Sequence, residues 1–151
     1  MRRFRFALDG VLQVRRVEEQ QAERQLQLAQ ARLRQAEEAL TTIAEEHATA
    51  VTTLRQLLAE DADAHQILLA VRRLDVLEQR RALAQQQVAA AEAEVERRLQ
   101  AYRECRQRRE LLEELRQKAW RQWLTDALRA QQVQADERAM RDFAVAQSNG
   151  E

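Results

Sequence analysis

The sequence predicts an all-α protein, a long two-helix antiparallel coiled-coil hairpin, and three observations support this prediction. The chain of 151 residues has no proline and two glycines, and it is rich in alanine, leucine, glutamate, glutamine and arginine. These residue types favour helices, whereas turns need the glycine, proline and asparagine that are scarce here. Apolar residues recur at alternating steps of four and three, the spacing of a coiled-coil seam. The pattern is interrupted once, which indicates two helices rather than one.

The first helix is predicted over residues 5–60. Steps of four and three from Leu8 reach fourteen further positions up to Leu57, and eleven of these are apolar. The exceptions are Arg15, Glu19 and His47. We interpret His47 as a partly solvated histidine of the seam rather than a ligand.

The turn is predicted at residues 60–63, and the second helix at residues 64–146. Asp63 with Gln66 three residues later has the spacing of a helix N-cap whose glutamine reaches back. A new seam starts at Ile67 and slips at Leu99 and Tyr102, where two successive steps of four resemble a stutter. Residues 147–151 are predicted to be a disordered tail, so that residues 1–151 form a single elongated α-hairpin.

Two long helices joined by so short a turn must lie antiparallel. A fold near residue 61 sets Phe4 and Phe6 opposite residues 116–118, beside Trp120 and Trp123. Five of the six aromatic residues are thus expected at the end of the hairpin that carries both termini, and these are Phe4, Phe6, Trp120, Trp123 and Phe143. They can clasp the two helices, form a docking surface, or do both.

Charge distinguishes the two ends of the predicted hairpin, although the net formal charge is zero. Residues 1–16 hold five arginines and one aspartate, and residues 97–121 hold nine basic and four acidic residues. Residues 37–63, around the turn, hold seven acidic residues and one arginine. A basic end that carries aromatic residues suits insertion into an acidic or polar cavity of a protein partner.

The residues for catalysis or metal binding are missing from the sequence pattern. His47 and His65 lie eighteen residues apart, without cysteine or carboxylate at metal-ligand spacing, so no metal, no cofactor and no enzymatic activity are expected. The single cysteine, Cys105, excludes an internal disulfide. No signal peptide or membrane span is expected, and we predict a soluble cytoplasmic protein. Nucleic-acid binding through residues 97–121 is disfavoured by the four glutamates in that stretch.

Two stretches of the sequence resemble a known family. The opening pattern Phe4-x-Phe6-x-Leu8-x-x-Val11-Leu12-x-x-Arg15 and the closing stretch DERAMRDFA are similar to the FliJ family of flagellar type III export proteins. The related YscO group of injectisome stalk proteins has the same architecture, and the Phe-x-Phe-x-Leu start favours the flagellar branch.

The resemblance implies a stalk whose joined termini enter the hexameric ring of the flagellar export ATPase and promote its assembly and activity. It also implies contacts with the cytoplasmic domain of the export gate protein and with export chaperones, at the cytoplasmic base of the export apparatus. Carried over by position, the residues that bind the ATPase ring are Arg3, Phe4, Phe6, Leu8, Leu12, Arg15, Trp120, Trp123, Leu124, Asp136, Met140 and Phe143. Those that bind the gate are Ile43, Glu46, Ala50, Val71, Leu74 and Leu77. The alternative is a structural coiled coil, a substrate chaperone or an injectisome stalk protein, without an ATPase-activating role.

Overall fold

The computed structural model describes residues 2–150, and two helices account for most of them. Helix α1 is Asp9–Ala59 and helix α2 is Ala64–Ser148, with no strand in this part of the chain. The start of α1 lies beside the later part of α2, as the ion pair of Asp9 with Arg116 shows. The last turns of α1 lie beside the first turns of α2, where His47 is close to Glu78. The predicted all-α fold, a two-helix antiparallel coiled-coil hairpin, is confirmed.

Helix α1 begins four residues later than predicted, because residues 2–8 form a non-helical arm. The backbone amide of Asp9 donates a hydrogen bond to the carbonyl of Phe6 (3.1 Å), which closes a turn just before the helix. The first helical hydrogen bond runs from the Leu12 amide to the Leu8 carbonyl (2.9 Å). Asp9 in the first turn carries a negative charge, which the positive end of the helix dipole favours.

The turn between the helices uses a left-handed residue at a helix C-terminus. Asp61 has a φ of 49°, and the Ala62 amide donates to the Leu57 carbonyl (3.1 Å). This six-to-one hydrogen bond is the Schellman arrangement that ends many helices. The next helical hydrogen bond runs from the Ile67 amide to the Asp63 carbonyl (3.2 Å), so Asp63 occupies the predicted N-cap position.

The C-terminus of the chain differs from the predicted tail at residues 147–151. Helix α2 continues to Ser148, whose hydroxyl donates to the Val145 carbonyl (2.9 Å). The Asn149 amide donates to that same carbonyl (3.1 Å), which extends the helical hydrogen bonding by one residue. Residue 151 lies outside the described part of the chain. The residues before the end are alanine-rich, and their helix propensity continues the helix beyond the predicted residue 146.

Contacts divide the described chain into two compact units. The turn unit comprises residues 20–104, and the end unit comprises residues 2–19 and 105–150. The core of the turn unit contains the buried residues Leu26, Ala29, Ala50, Leu77 and Ala84. Every predicted seam position of α1 in this unit, from Ala22 to Leu57, is buried or half-buried.

His47 is part of this seam. Its Nε2 atom lies 3.6 Å from Glu78 Oε1, a distance beyond hydrogen-bond range, and it has no hydrogen-bond partner within residues 2–150.

Candidate partner-binding site

The arm of the end unit is held on helix α2 by an aromatic contact. The ring of Phe4 lies 5.9 Å from the ring of Trp123, centroid to centroid, at an interplanar angle of 57°. The Arg116 guanidinium carbon lies 5.9 Å from the Phe4 centroid, within the range of a cation–π contact. Together these contacts place the first residues of the arm against α2.

Phe4 reaches five residues further along α2 than the predicted position 118. A similar offset is present within the helices, because Glu19 pairs with Arg109 and not with residue 103, which the predicted register sets opposite it. Arg16 likewise pairs with Glu113 and not with residue 106. The register counted from a fold near residue 61 is therefore wrong for the end unit.

Four charged residues link α1 to α2 in the end unit. Arg109 donates from Nε to Glu19 Oε2 (2.6 Å) and from Nη2 to Glu19 Oε1 (3.0 Å), a two-pronged ion pair. The third nitrogen, Nη1, donates to Glu113 Oε2 (2.8 Å), and Arg16 Nη2 donates to Glu113 Oε1 (3.3 Å). We call Arg16, Glu19, Arg109 and Glu113 the ion network.

The ion network changes the ionisation of its members. The hydrogen bonds from Arg109 lower the pKa of Glu19 below its ordinary value, and this effect outweighs the opposing effect of burial. Hydrogen bonding to Glu19 in turn raises the pKa of Arg109. The side chains of Glu19 and Arg109 are 15% and 20% exposed, so water screens their attraction only in part.

The ion network was not predicted from the sequence, although one signal for it was present. Glu19 interrupts the apolar seam of α1, and a charged residue at a seam position needs a partner from the other helix. The sequence contains many glutamate–arginine pairs three and four residues apart, and such pairs usually lie within one helix. Arg15 with Glu18 is one of these, at 2.9 Å.

One of the twelve residues predicted to bind the ATPase ring lies in the core. Leu12 is 0% exposed, so its side chain packs between the helices and offers no surface to a partner. Of the others, five are half-buried, namely Phe4, Phe6, Arg15, Trp123 and Leu124. Six are exposed, namely Arg3, Leu8, Trp120, Asp136, Met140 and Phe143.

The five aromatic residues predicted at one end of the hairpin all belong to the end unit, and they do not form one cluster. Phe143 is 67% exposed, and Trp120 is 45% exposed. Within residues 2–150 the contact between Phe4 and Trp123 is the one that joins two aromatic rings. Residues 128–148 of α2 are exposed throughout. Phe143 therefore lies on a part of α2 that the arm does not cover, as expected of a second helix longer than the first.

A groove in the end unit follows the point where the arm meets α2. It has a volume of about 350 Å³ and is lined by Arg2 from the arm and by Trp123, Asp126, Ala127, Ala130, Gln131 and Gln134 from α2. Small alanine side chains and the indole ring form its apolar part. The end unit thus offers a recess beside its exposed aromatic and basic residues.

The residues predicted to bind the export gate lie in the turn unit, and two of them are buried. Ala50 is 6% exposed and Leu77 is 2% exposed, because both face the seam between the helices. Ile43 and Leu74 are half-buried on the same seam, whereas Glu46 and Val71 are exposed. The apolar members of this set that lie at heptad positions of the seam pack between the helices, and so they contribute to the core before they can contribute to a surface.

The described residues contain neither a metal-binding cluster nor a helix suited to a membrane span. Within residues 2–150, no three His, Cys, Asp or Glu side chains cluster in a way that could hold a metal ion. None of the helices in this range is both long and apolar enough to cross a membrane. Cys105 is half-buried and unpaired by a disulfide.

Comparisons with known proteins agree with this architecture. Residues 4–148 match the family model described as flagellar FliJ protein. The solved structure of a YscO homolog from Chlamydia trachomatis is similar, with a TM-score of 0.54 and 21% sequence identity. The similarity covers 91% of this chain and 94% of that one, and at this identity it supports the fold. None of the curated proteins that were searched matches the chain.

Proposed function

Because the chain belongs to the flagellar FliJ family, a family of type III export components, we propose that it acts as a stalk of the flagellar export ATPase. In this proposal the end unit enters the hexameric ring, promotes its assembly and raises its rate of ATP hydrolysis. In this proposal the protein supplies no catalytic group and works at the cytoplasmic base of the export apparatus.

The observation that carries the proposal is the surface of the end unit. Its described residues include fourteen basic and ten acidic residues, whereas the turn unit has eleven basic and fourteen acidic residues. The same end unit exposes Trp120, Met140 and Phe143, side chains that a protein normally buries. An excess of positive charge next to exposed aromatic and apolar side chains is suited to a protein partner.

The mechanism is a bias on the conformations of the ring subunits. A two-helix hairpin has no rotational symmetry, so a single copy inside a sixfold ring presents a different surface to each subunit. Each subunit then favours the conformation that binds its part of the hairpin best. Differential binding of this kind is enough to couple the stalk to hydrolysis, without any catalytic group from the stalk.

The test is the ATPase rate of the cognate enzyme with and without this protein. We expect turnover to rise on addition of the full chain and to return to the basal rate when residues 128–151 are deleted. A chain with Leu83→Gln in the turn unit is the control, because Leu83 is 56% exposed and lies outside the end unit. Unchanged turnover at concentrations that saturate binding would refute the activating role.

The turn unit is proposed to link the ATPase to the export gate and to export chaperones. Glu46 and Val71 are the two members of the predicted gate set that remain exposed. Glu46 lines a groove of about 260 Å³ with Arg72, Arg73, Val76, Leu77 and Arg80. Substituting Glu46 and Val71 together should weaken binding of the cytoplasmic gate domain in a pull-down and leave ATPase stimulation unchanged.

The contact between Phe4 and Trp123 favours a second candidate function, a structural coiled coil without an ATPase-activating role. In that case the aromatic residues of the arm only clasp the helices. Replacing Phe4 and Phe6 by alanine would then lower the melting temperature and leave binding to the ATPase unchanged. A loss of ATPase binding in a variant that remains helical at the assay temperature supports the stalk instead.

A further inference from the structure

One face of the end unit carries four exposed apolar residues that neither the seam nor the ion network uses. The ion pairs of Asp9 with Arg116 and of Arg16 with Glu113 fix the register of the two helices. These two pairs place Val11 and Val14 beside residues 111–118 of α2, a stretch that contains Leu111 and Leu115. We call Val11, Val14, Leu111 and Leu115 the valine–leucine patch.

The patch and the ion network lie on opposite faces of the hairpin. At 100° per residue, Val11 and Val14 point away from Arg16 around α1, and Leu111 and Leu115 point away from Glu113 around α2. One face therefore has its charges paired across the two helices. The other face presents Val11, Val14, Leu115 and Leu111, which are 42%, 55%, 47% and 54% exposed.

Packing within the end unit does not account for these residues. Leu12, next to Val11, is 0% exposed and already fills the seam at this level. Valine is also a poorer helix former than alanine, glutamine or glutamate, so exposed valines weaken α1 locally. Single exposed apolar residues are common, but four on one face of two paired helices concentrate apolar surface in the way that partners cover.

Charges around the patch indicate what kind of partner fits it. Arg15 and Glu18, on the same face, neutralise each other in an ion pair. Arg108 lies one helical turn before Leu111, and Lys118 lies one turn after Leu115. Within residues 2–150, Arg108 and Lys118 form neither an ion pair nor a hydrogen bond. The rim of the patch is therefore positive and fits a surface with an apolar centre and carboxylates around it.

We propose that the valine–leucine patch is the face of the end unit that packs against a subunit of the export ATPase, on an apolar surface rimmed by aspartate and glutamate. This inference rests on the proposed function and deepens it, because it selects one of the two faces of the hairpin. It adds four residues to the end unit's binding surface, none of which belongs to the set predicted from the family resemblance.

The test compares two matched double variants. Val14→Gln with Leu111→Gln removes the centre of the patch, and Leu28→Gln with Leu83→Gln removes two leucines of the turn unit that are 52% and 56% exposed. Glutamine is a good helix former, so both variants should keep the circular dichroism of the parent. We expect the patch variant to bind the cognate ATPase at least tenfold more weakly and the control to stay within twofold of the parent. Should the glutamine variant lose helicity, Val14→Ala with Leu111→Ala takes its place.

The outcomes separate this inference from the proposed function. If the parent chain itself does not bind the ATPase, the proposed function fails. If the parent binds and the patch variant binds equally well, the proposed function stands and the patch inference is overturned. A parent chain that dimerises in sedimentation equilibrium, with a patch variant that stays monomeric, overturns it as well, because a second copy then covers the patch.

A charge variant tests the acidic rim of the partner. Arg108→Gln with Lys118→Gln should weaken ATPase binding and reduce its dependence on salt. Affinity and salt dependence equal to those of the parent would overturn the assignment of an acidic rim.

Discussion

At the scale of single residues, the end unit depends on a charged pair where a coiled coil normally has apolar residues. Glu19 lies on the seam of α1, and Arg109 reaches it from α2 with two hydrogen bonds of 2.6 and 3.0 Å. A pair of this kind costs desolvation energy, and its geometry works only at one axial alignment of the helices. The pair therefore fixes the register of the end unit more strongly than it stabilises the fold.

Replacing Glu19 by glutamine should destabilise the protein in a way that depends on pH. Hydrogen bonding to Arg109 lowers the pKa of Glu19 from its ordinary value of 4.5, so the folded state binds its proton more weakly than the unfolded state. The stabilisation is thus fully present above pH 4.5 and is lost as the pH falls through the lowered pKa. At pH 7 we expect Glu19→Gln to lower the free energy of unfolding by about 1 kcal/mol.

Urea unfolding at several pH values measures this difference. The gap between the parent and Glu19→Gln should be largest at neutral pH and close on acidification. Glu18→Gln is the matched control, because Glu18 pairs with Arg15 within one helix and its side chain is 37% exposed. A gap that stays constant from pH 7 to pH 3 would show that the carboxylate charge of Glu19 plays no part.

At the scale of elements, the sequence predicted the features that follow a regular spacing or a local capping pattern, and it did not predict the arm, which follows neither. The seam of α1 and the N-cap position of Asp63 follow from regular spacing and local chemistry, and both are present. The arm at residues 2–8 has no such pattern. Its conformation depends on the contact of Phe4 with Trp123, more than one hundred residues away in sequence. Contacts between such distant positions set the register of the end unit, and spacing along one helix cannot reveal them.

The same difference separates the correct and incorrect parts of the predicted binding surfaces. Leu12, Ala50 and Leu77 have the apolar character and the heptad spacing of core residues, and they are buried. A family resemblance carried over by position does not distinguish buried residues, which support a surface from beneath, from the exposed residues that a partner can contact. The ion network and the valine–leucine patch became visible only when both helices were placed in register.

The turn between the helices makes a specific prediction about Asp61. Its φ of 49° is left-handed, a conformation that costs most residues about 1–2 kcal/mol and costs glycine nothing. Asp61→Gly should therefore raise the stability of the hairpin by about 1 kcal/mol, whereas Asp61→Ala should lower it. Thermal unfolding followed by circular dichroism measures both changes.

A second substitution at the turn separates this effect from a loss of charge. Asp63→Gly removes an aspartate two residues further on, at a position without a left-handed φ, and should not stabilise the protein. If Asp61→Gly and Asp63→Gly shifted the melting temperature equally and in the same direction, the conformational explanation would be wrong.

At the scale of the whole molecule, charge is divided between the two units while the total is zero. The described end unit has an excess of four positive charges, and the turn unit has an excess of three negative charges. Properties that depend on net charge alone, such as the isoelectric point of about 6.8 expected from the sequence, do not reveal this division. A partner that approaches within about 10 Å at 0.1 M salt experiences the local charge of one unit instead.

This division of charge predicts how salt affects binding to the export ATPase. Attraction between the basic end unit and an acidic partner surface should speed up association at low salt and leave dissociation almost unchanged, because screening acts mainly on charges that remain in solvent. We expect the association rate constant to fall about tenfold between about 0.01 M and 1 M sodium chloride, over which the Debye length shortens from about 30 to 3 Å. Stopped-flow fluorescence of Trp120 and Trp123, the two tryptophans of the chain, can follow the binding step.

Two matched charge variants test which unit controls association. Arg2→Gln with Arg3→Gln, which lowers the charge of the arm by two, should reduce the salt dependence of the association rate constant. Arg72→Gln with Arg73→Gln, an equal change in the turn unit, should leave it as in the parent. If both variants reduced the salt dependence equally, the net charge of the chain and not the position of the charges would control association. The proposal that the end unit is the first part of the molecule to contact the ring would then be wrong.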